Sequence, residues 1–456
     1  MTISLSELAE SVQGRIVNSA ELSLDAFSID TRTLQAKQGY IAIQGERFDG
    51  HDFIEQAEQA GAAVVIVHKP VNTTLPTIIV DDTKLALAKL AGVWRERYQD
   101  LLVVGVTGSN GKTTTKEMLA AILDVHDEVL YTQGNLNNDI GVPLTLLRLN
   151  DQHRYAVIEM GANHPAEIAY TSRIANADVV IITNAGAAHL EGFGSIDGVA
   201  KAKGEIIETL KDSGTVIINH DDAHFNYWQQ LAGQHHVLSF GEHQLADIRA
   251  DNINITVYDN QFNTRFDLIT PRGDIGVNLK LAGKHNILNA LAASAASLAL
   301  GIKPQQIAQG LATLIPVTGR LQPLLADNGT LIINDCYNAN ANSCKAALDV
   351  LKQCQGEHWM VLGAFGELGE NSAIIHHQLG ELIKATGVTR LFSIGELTQH
   401  TVAAFGDGAN YYQNHDELIT ALKKELTGSQ TLLIKGSRAQ HLEQITSALV
   451  TDFRMY

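Results

Sequence analysis

Residues 101–117, LLVVGVTGSNGKTTTKE, limit what this chain can fold into more than any other stretch. The β-branched run Val103, Val104 and Val106 reads as a buried strand. It gives way to Gly108 and Gly111, after which Met118, Leu119, Ile122 and Leu123 recur at helical spacing. Strand, glycine loop and helix in that order wrap a phosphate in backbone N–H groups at a helix N-terminus. Glycine is needed where a Cβ would clash with the inward curl of the backbone. Gly108, Ser109, Asn110, Gly111, Lys112, Thr113 and Thr114 are therefore the candidate phosphate-binding residues. Lys112 can reach the β- and γ-phosphates, and the Thr113 hydroxyl is placed to bind Mg²⁺. The usual phosphate-loop pattern expects its first glycine at Val106, whereas here it stands one place earlier, at Gly105. An ATP site is expected.

Length and charge bound the rest. A chain of 456 residues suggests about three domains at ~150 residues each. Hydrophobic content of 45% and 38 glycines against 8 prolines fit an α/β enzyme with many tight turns. With 33 basic against 50 acidic residues the net charge is −17, so nucleic acid is not an expected partner. Any anionic substrate must be met by local groups. Cys336, Cys344 and Cys354 have no metal-ligand spacing, and an odd count argues against a disulfide framework. The start of the chain lacks a basic region followed by an apolar core. The apolar segment 287–302 is interrupted by Asn289, Ser294 and Ser297, so it reads as a buried helix and not a membrane span. A cytoplasmic protein is expected.

Residues 1–83 read as a small α/β module, with strands near 26–29, 40–43, 63–67 and 77–80 and a helix near 53–60. In FSIDTR, the residues Ser28, Asp30, Thr31 and Arg32 follow a strand end, either as ligand groups or as a turn with a surface ion pair. Residues 84–315 form the expected nucleotide domain. Its segment YTQGNLNNDIGVP is too polar for core and crowds Asn135, Asn137 and Asn138 into one loop. The next strand ends in Glu159, where folds of this kind hold Mg²⁺. His189 follows another strand in a glycine-rich loop and by itself reads as a loop residue. Lys201 and Lys203 are two apart on the following helix, so only one can face the site. Alternation over 237–282 predicts an antiparallel β insertion, and GKHNILNALAAS then opens a helix with His285, Asn286 and Asn289 in its first turns. The third unit, 316–456, starts with VTGRLQP, a linker-like turn carrying Arg320. Beyond it β and α segments alternate as in a doubly wound, Rossmann-type parallel sheet. No G-x-G-x-x-G follows its first strand, so dinucleotide binding is unsupported. The strand-end loops NDCYNANANS and LGAFGELGE are placed to form a ligand crevice.

Taken in order, TGSNGKTT, the Glu159 strand, HLEGFGS with AKAKGEI, GKHNILNALAA, TGR and NDCYNAN resemble the Mur ligase family across the whole chain. DTR with GERFDGHDF, TQGNLNNDIGVPLTLL, and DCYNAN with LGAFGELGE most resemble those members that add a D-alanyl-D-alanine dipeptide. The resemblance implies an N-terminal domain for a uridine nucleotide, a central ATPase domain, and a C-terminal Rossmann-like domain that closes over the site. It implies an ADP-forming ligase of peptidoglycan synthesis, joining UDP-N-acetylmuramoyl-tripeptide to D-alanyl-D-alanine through an acyl phosphate, and a monomer. It makes Glu159 and His189 ligands of Mg²⁺, and Lys203 the lysine that CO₂ carboxylates to hold a second Mg²⁺. Asn286 and Asn289 become adenine contacts, Asp335 a ribose contact, and Arg320 an arginine that reaches the ATP phosphates. Tyr337 and Asn338 would line the cleft near the dipeptide. Ser28, Thr31, Arg32, Asn135, Asn137 and Asn138 would meet the uridine-linked substrate. One departure is Ala341, where the family has proline, which is expected to loosen that turn.

Overall fold

The computed structural model describes residues 2–45, 48–186, 190–258, 261–366, 368–451 and 453. The first unit holds a sheet ordered Arg15–Val17, Thr77–Ile79, Val64–Val67, Gly39–Ile41, Phe27–Ser28, parallel except for Arg15–Val17. That strand escaped the sequence pattern because three residues are too few for an alternation. The helix Thr83–Glu96, capped by the Asp82 carboxylate on the N–H groups of Lys84 and Leu85, joins this sheet to the next unit. Its Trp94 packs edge-on against Phe27 at 6.3 Å and donates its indole N–H to the Leu149 carbonyl at 3.2 Å. One apolar core therefore runs unbroken from Leu8 and Val64 to Met160 and Ile206. Deleting a ring buried in this way costs about 3–5 kcal/mol, so Trp94 contributes to holding the first two units together.

The central sheet is six parallel strands in the order His236–Phe240, Thr215–Asn219, Val179–Ile182, Leu102–Thr107, His153–Glu159, Glu128–Tyr131. Helices cover both faces, which is why its inner strands are continuous apolar runs. His236–Phe240 corrects the expected insertion. It lies parallel at the sheet edge, and a half-exposed edge strand alternates just as an antiparallel one does. The antiparallel insertion proper is Arg249–Tyr258, Gln261–Ile269 and Ile275–Leu279, and its Phe262 packs into the core of the third unit.

The third sheet is ordered Gln322–Leu325, Leu331–Asp335, Gln430–Lys435, Glu357–Gly363, Arg390–Ile394, Ala409–Tyr412. All pairs are parallel except the first, which is antiparallel. The end of VTGRLQP is thus not linker but the start of an edge strand, the one place in a sheet where Pro323 loses no ladder bond. Among the described residues no helix is long and apolar enough to cross a membrane. The three cysteines are buried free thiols.

Candidate active site

Strand order decides what surrounds the glycine loop. Leu102–Thr107 lies between His153–Glu159 and Val179–Ile182, so residues 108–111 emerge beside the carboxyl ends of both neighbours. Gly108 has φ +145°, and a Cβ there would stand 1.9 Å from Thr183 Oγ1. Gly111 has φ +84°, and its Cβ would meet Asn289 Oδ1 at 2.2 Å. The two glycines are thus required by side chains from a neighbouring strand end and from the helix Lys284–Ala299. Gly105 is not a loop residue at all. It pairs inside the strand with Ile158 and Val180, and its missing side chain admits Ile206 from the helix that carries Lys203.

The helix Lys112–Leu123 begins directly at the loop, aiming its free N–H groups and positive dipole end at the space above. Lys112 Nζ donates to the Gly108 carbonyl at 2.7 Å; burial pushes its pKa down, while Glu159 pulls it up. Thr113 Oγ1 donates to Glu159 Oε2 at 2.9 Å, and Asn137 Nδ2 donates to Glu159 Oε1 at 2.8 Å. Both oxygens of the buried Glu159 carboxylate are thereby aimed. The loop tip is fastened to the other neighbour: Asn110 N–H donates to Asn184 Oδ1 at 3.0 Å, and its carbonyl accepts from Asn184 Nδ2 and Thr183 Oγ1. Ser109 exchanges hydrogen bonds with the backbone of Gly186.

The third unit closes over this loop, leaving a cavity of about 820 Å³ between the two. Arg320 Nη2 donates to Thr113 Oγ1 at 2.9 Å, and its guanidinium lies over the Tyr337 ring at 4.4 Å. Its Nε is buried with no hydrogen-bond partner among the described residues. Two cations and a helix N-terminus therefore converge on one wall, with a spare donor, which is an anion site. Asp335 Oδ1 accepts the N–H of Leu321 at 3.1 Å, and Asp335 Oδ2 pairs with Lys435 Nζ at 2.6 Å. A ribose would have to share oxygens that already hold the Arg320 turn.

The remaining expected residues divide clearly. Thr114, Asn138, Asn286, Asn289, Tyr337 and Asn338 line the cavity with the loop, as do Asn137, Glu159, Arg320 and Asp335. Asn286 and Asn289 are one helical turn apart, both buried, and joined by a 3.3 Å hydrogen bond. Lys203 is buried and Lys201 exposed, so the helix presents the former inward. The Lys203 ammonium lies 5.6 Å over the Phe193 ring and has no hydrogen bond or ion pair among the described residues. Burial, with nearby Lys112 adding, pushes its pKa down to about 7. Asn135 is exposed and does not line the cavity, and neither do Ser28, Thr31 and Arg32. Arg32 pairs with Asp30 at 2.6 Å on the surface, holding that carboxyl below the usual range. His189 lies outside the described residues.

Sequence reasoning missed Thr183, Asn184, Asn340 and Lys435, all of which line the cavity. Thr183, Asn184 and Lys435 close or directly follow apolar strands (VVIITN and LLIK), the same signal that singled out Glu159. Ala341 loosens nothing: it is the first residue of the helix Ala341–Leu351, where proline costs nothing but is not required. Reciprocal bonds between Asn340 and Ser343 hold that turn instead.

Comparison with known proteins finds a family match for each of the three units. Residues 24–104 match the model of the Mur ligase family catalytic domain, 106–297 the Mur ligase middle domain, and 319–438 the Mur ligase glutamate ligase domain. The UDP-N-acetylmuramoyl-tripeptide–D-alanyl-D-alanine ligase of Escherichia coli is 43% identical over 98% of each chain. Its Bacillus subtilis counterpart is 36% identical over 97% of each. A crystal structure of MurF from Acinetobacter baumannii superposes with TM-score 0.92 at 36% identity over 98% of both chains. MurF from Thermotoga maritima in complex with ADP gives 0.82 at 28% identity, covering 93% of this chain and 96% of that one. With all three units matched in order, the chain belongs to the Mur ligase family.

Proposed function

We propose that this chain joins the terminal carboxylate of UDP-N-acetylmuramoyl-tripeptide to the amine of D-alanyl-D-alanine, with ATP converted to ADP and phosphate. Relatives bearing that activity in their names match it from end to end. The observation that carries the reading is the Arg320–Thr113 contact beside Glu159, a cation from one unit placed on the phosphate loop of another. Such a wall suits transfer of a phosphoryl group to an acceptor enclosed between the units. Because ATP is the co-substrate, the step belongs in the cytoplasm.

A carboxylate is a poor electrophile, so it first attacks the γ-phosphorus, expelling ADP and forming an acyl phosphate. Lys112 and Arg320 oppose the charge gathered there and stabilise it on the transferring oxygens. The dipeptide amine then adds to the acyl carbon, and the tetrahedral intermediate expels phosphate as the amine proton is released. Enclosure of the site between the two units, where Arg320 and Tyr337 stack in the cavity lining, would limit hydrolysis of the acyl phosphate.

The donor set fits Mg²⁺. Thr113 and Glu159 offer hard oxygens within 2.9 Å of each other, and His189 is the further ligand that the resemblance implies. Lys203 fits carboxylation, because a lysine pushed down to about 7 is partly a neutral amine, the form that adds CO₂. When bound, Mg²⁺ would offset phosphate charge, with the Lys203 carbamate supplying one more oxygen ligand. We assign Asn286 and Asn289 to adenine and Tyr337 and Asn338 to the dipeptide side. Ser28, Thr31, Arg32, Asn135 and Asn138 are assigned to the uridine-linked substrate, while Asn137 aims Glu159.

The test is product mass with the diaminopimelate or lysine tripeptide, D-alanyl-D-alanine and ATP. A dipeptide adduct with one ADP per bond is expected. Phosphate release that needs no dipeptide would overturn the reading.

A further inference from the structure

We propose that Asn340 is a positioning residue that registers the third unit on the phosphate loop through Asn110; the inference rests on the ligase reading above. Asn340 is the N-cap of the helix Ala341–Leu351, and its Oδ1 accepts the Ser343 N–H at 2.9 Å. Its own N–H donates to Ser343 Oγ at 3.0 Å, so the residue is held from both sides. With the oxygen committed to the cap, the amide nitrogen must point away from the helix. There Nδ2 donates to Asn110 Oδ1 at 2.8 Å, across the boundary between units.

Asn110 cannot simply follow. Its backbone is fastened by three hydrogen bonds to Thr183 and Asn184 at a strand end of the central sheet. The bond therefore joins two rigid supports. Three residues further along the loop, Thr113 accepts the hydrogen bond of Arg320, which comes from a different segment of the third unit. The two units also pack through Phe262, and at the loop these two hydrogen bonds, on separate segments, set the register. Asn340 thus tunes how Arg320 sits over the phosphate end of the loop, without needing to touch a reacting atom.

Serine caps helices as well as asparagine but is too short to reach Asn110. Asn340→Ser keeps the cap, so its melting temperature should fall by no more than about 5 °C, the loss of one hydrogen bond. Its kcat should fall about five- to tenfold, the worth of one hydrogen bond. In an Arg320→Ala background the same change should cost less than about twofold, because the group being positioned is gone. Wild-type kcat in Asn340→Ser, equal losses in both backgrounds, or a loss accompanied by a fall in melting temperature of more than about 5 °C would each overturn the inference. Failure of the wild-type chain to form the amide would instead overturn the ligase reading.

Discussion

Asp335 and Lys435 are register partners on adjacent parallel strands, and their side chains meet at 2.6 Å beneath the active-site cavity. The same carboxylate accepts the Leu321 N–H, so the pair anchors the turn that projects Arg320. Removing one member of a buried pair leaves an uncompensated charge, at a cost of about 3–5 kcal/mol. Lys435→Ala should therefore lower unfolding stability by that amount and depress turnover with it. Urea unfolding followed by circular dichroism measures the loss; a change below about 1 kcal/mol would mean the pair does not anchor the turn.

Arg320→Ala should reduce kcat by about 10²–10³-fold, the range for losing one charge-stabilising donor. Arg320→Lys should recover only part of this, since lysine lacks the fork that reaches both Thr113 and a phosphate oxygen. Lys112→Ala should abolish acyl-phosphate formation itself, not only the second step. Rapid-quench trapping of acyl phosphate separates the two steps, and wild-type amounts in Lys112→Ala would remove Lys112 from the first.

Lys203→Ala should lose at least about 100-fold in activity if its carbamate holds a metal ion as proposed. If a carbamate is the active form, a short added carboxylic acid such as acetate should restore part of that activity. Full activity without rescue would rule the carbamate out.

His285, half-buried at the cavity wall, is held down at about 4 by burial, with Lys435 adding and Asp335 opposing. Its folded value lies below the ordinary one near 6.5, so the fold prefers the neutral ring. The stability this contributes is complete above about pH 6.5 and is lost as pH falls from there to about 4, below which the group has no further effect. The loss is at most about 3 kcal/mol, and less where cavity water screens the ring. His285→Gln should show a flatter stability profile between pH 7 and 4.5 than wild type. Parallel profiles would show that the ring is not buried as a neutral group.

Much of the site was legible because its signals are local. The strand, the glycines, Lys112 and Thr113 sit within one short run, and Glu159 ends an apolar strand of its own. Lys435 ends another such strand, yet nothing nearby showed that it would face a cavity. The edge strands His236–Phe240 and Gln322–Leu325 were misread because a half-exposed edge has the same alternation in either direction and tolerates proline.

Residue order alone was enough for the three α/β units, the phosphate loop and the resemblance to a ligase family, since each depends on contacts a few positions apart. Neighbourhood was decided only by the fold. Arg320 reaches Thr113 across 207 positions and Asn340 reaches Asn110 across 230. Gly105 proved to be room for Ile206, and Gly108 and Gly111 room for Thr183 and Asn289. No periodicity records such pairs, because they arise when strands from distant parts of the chain pack side by side and bring their carboxyl ends to one place.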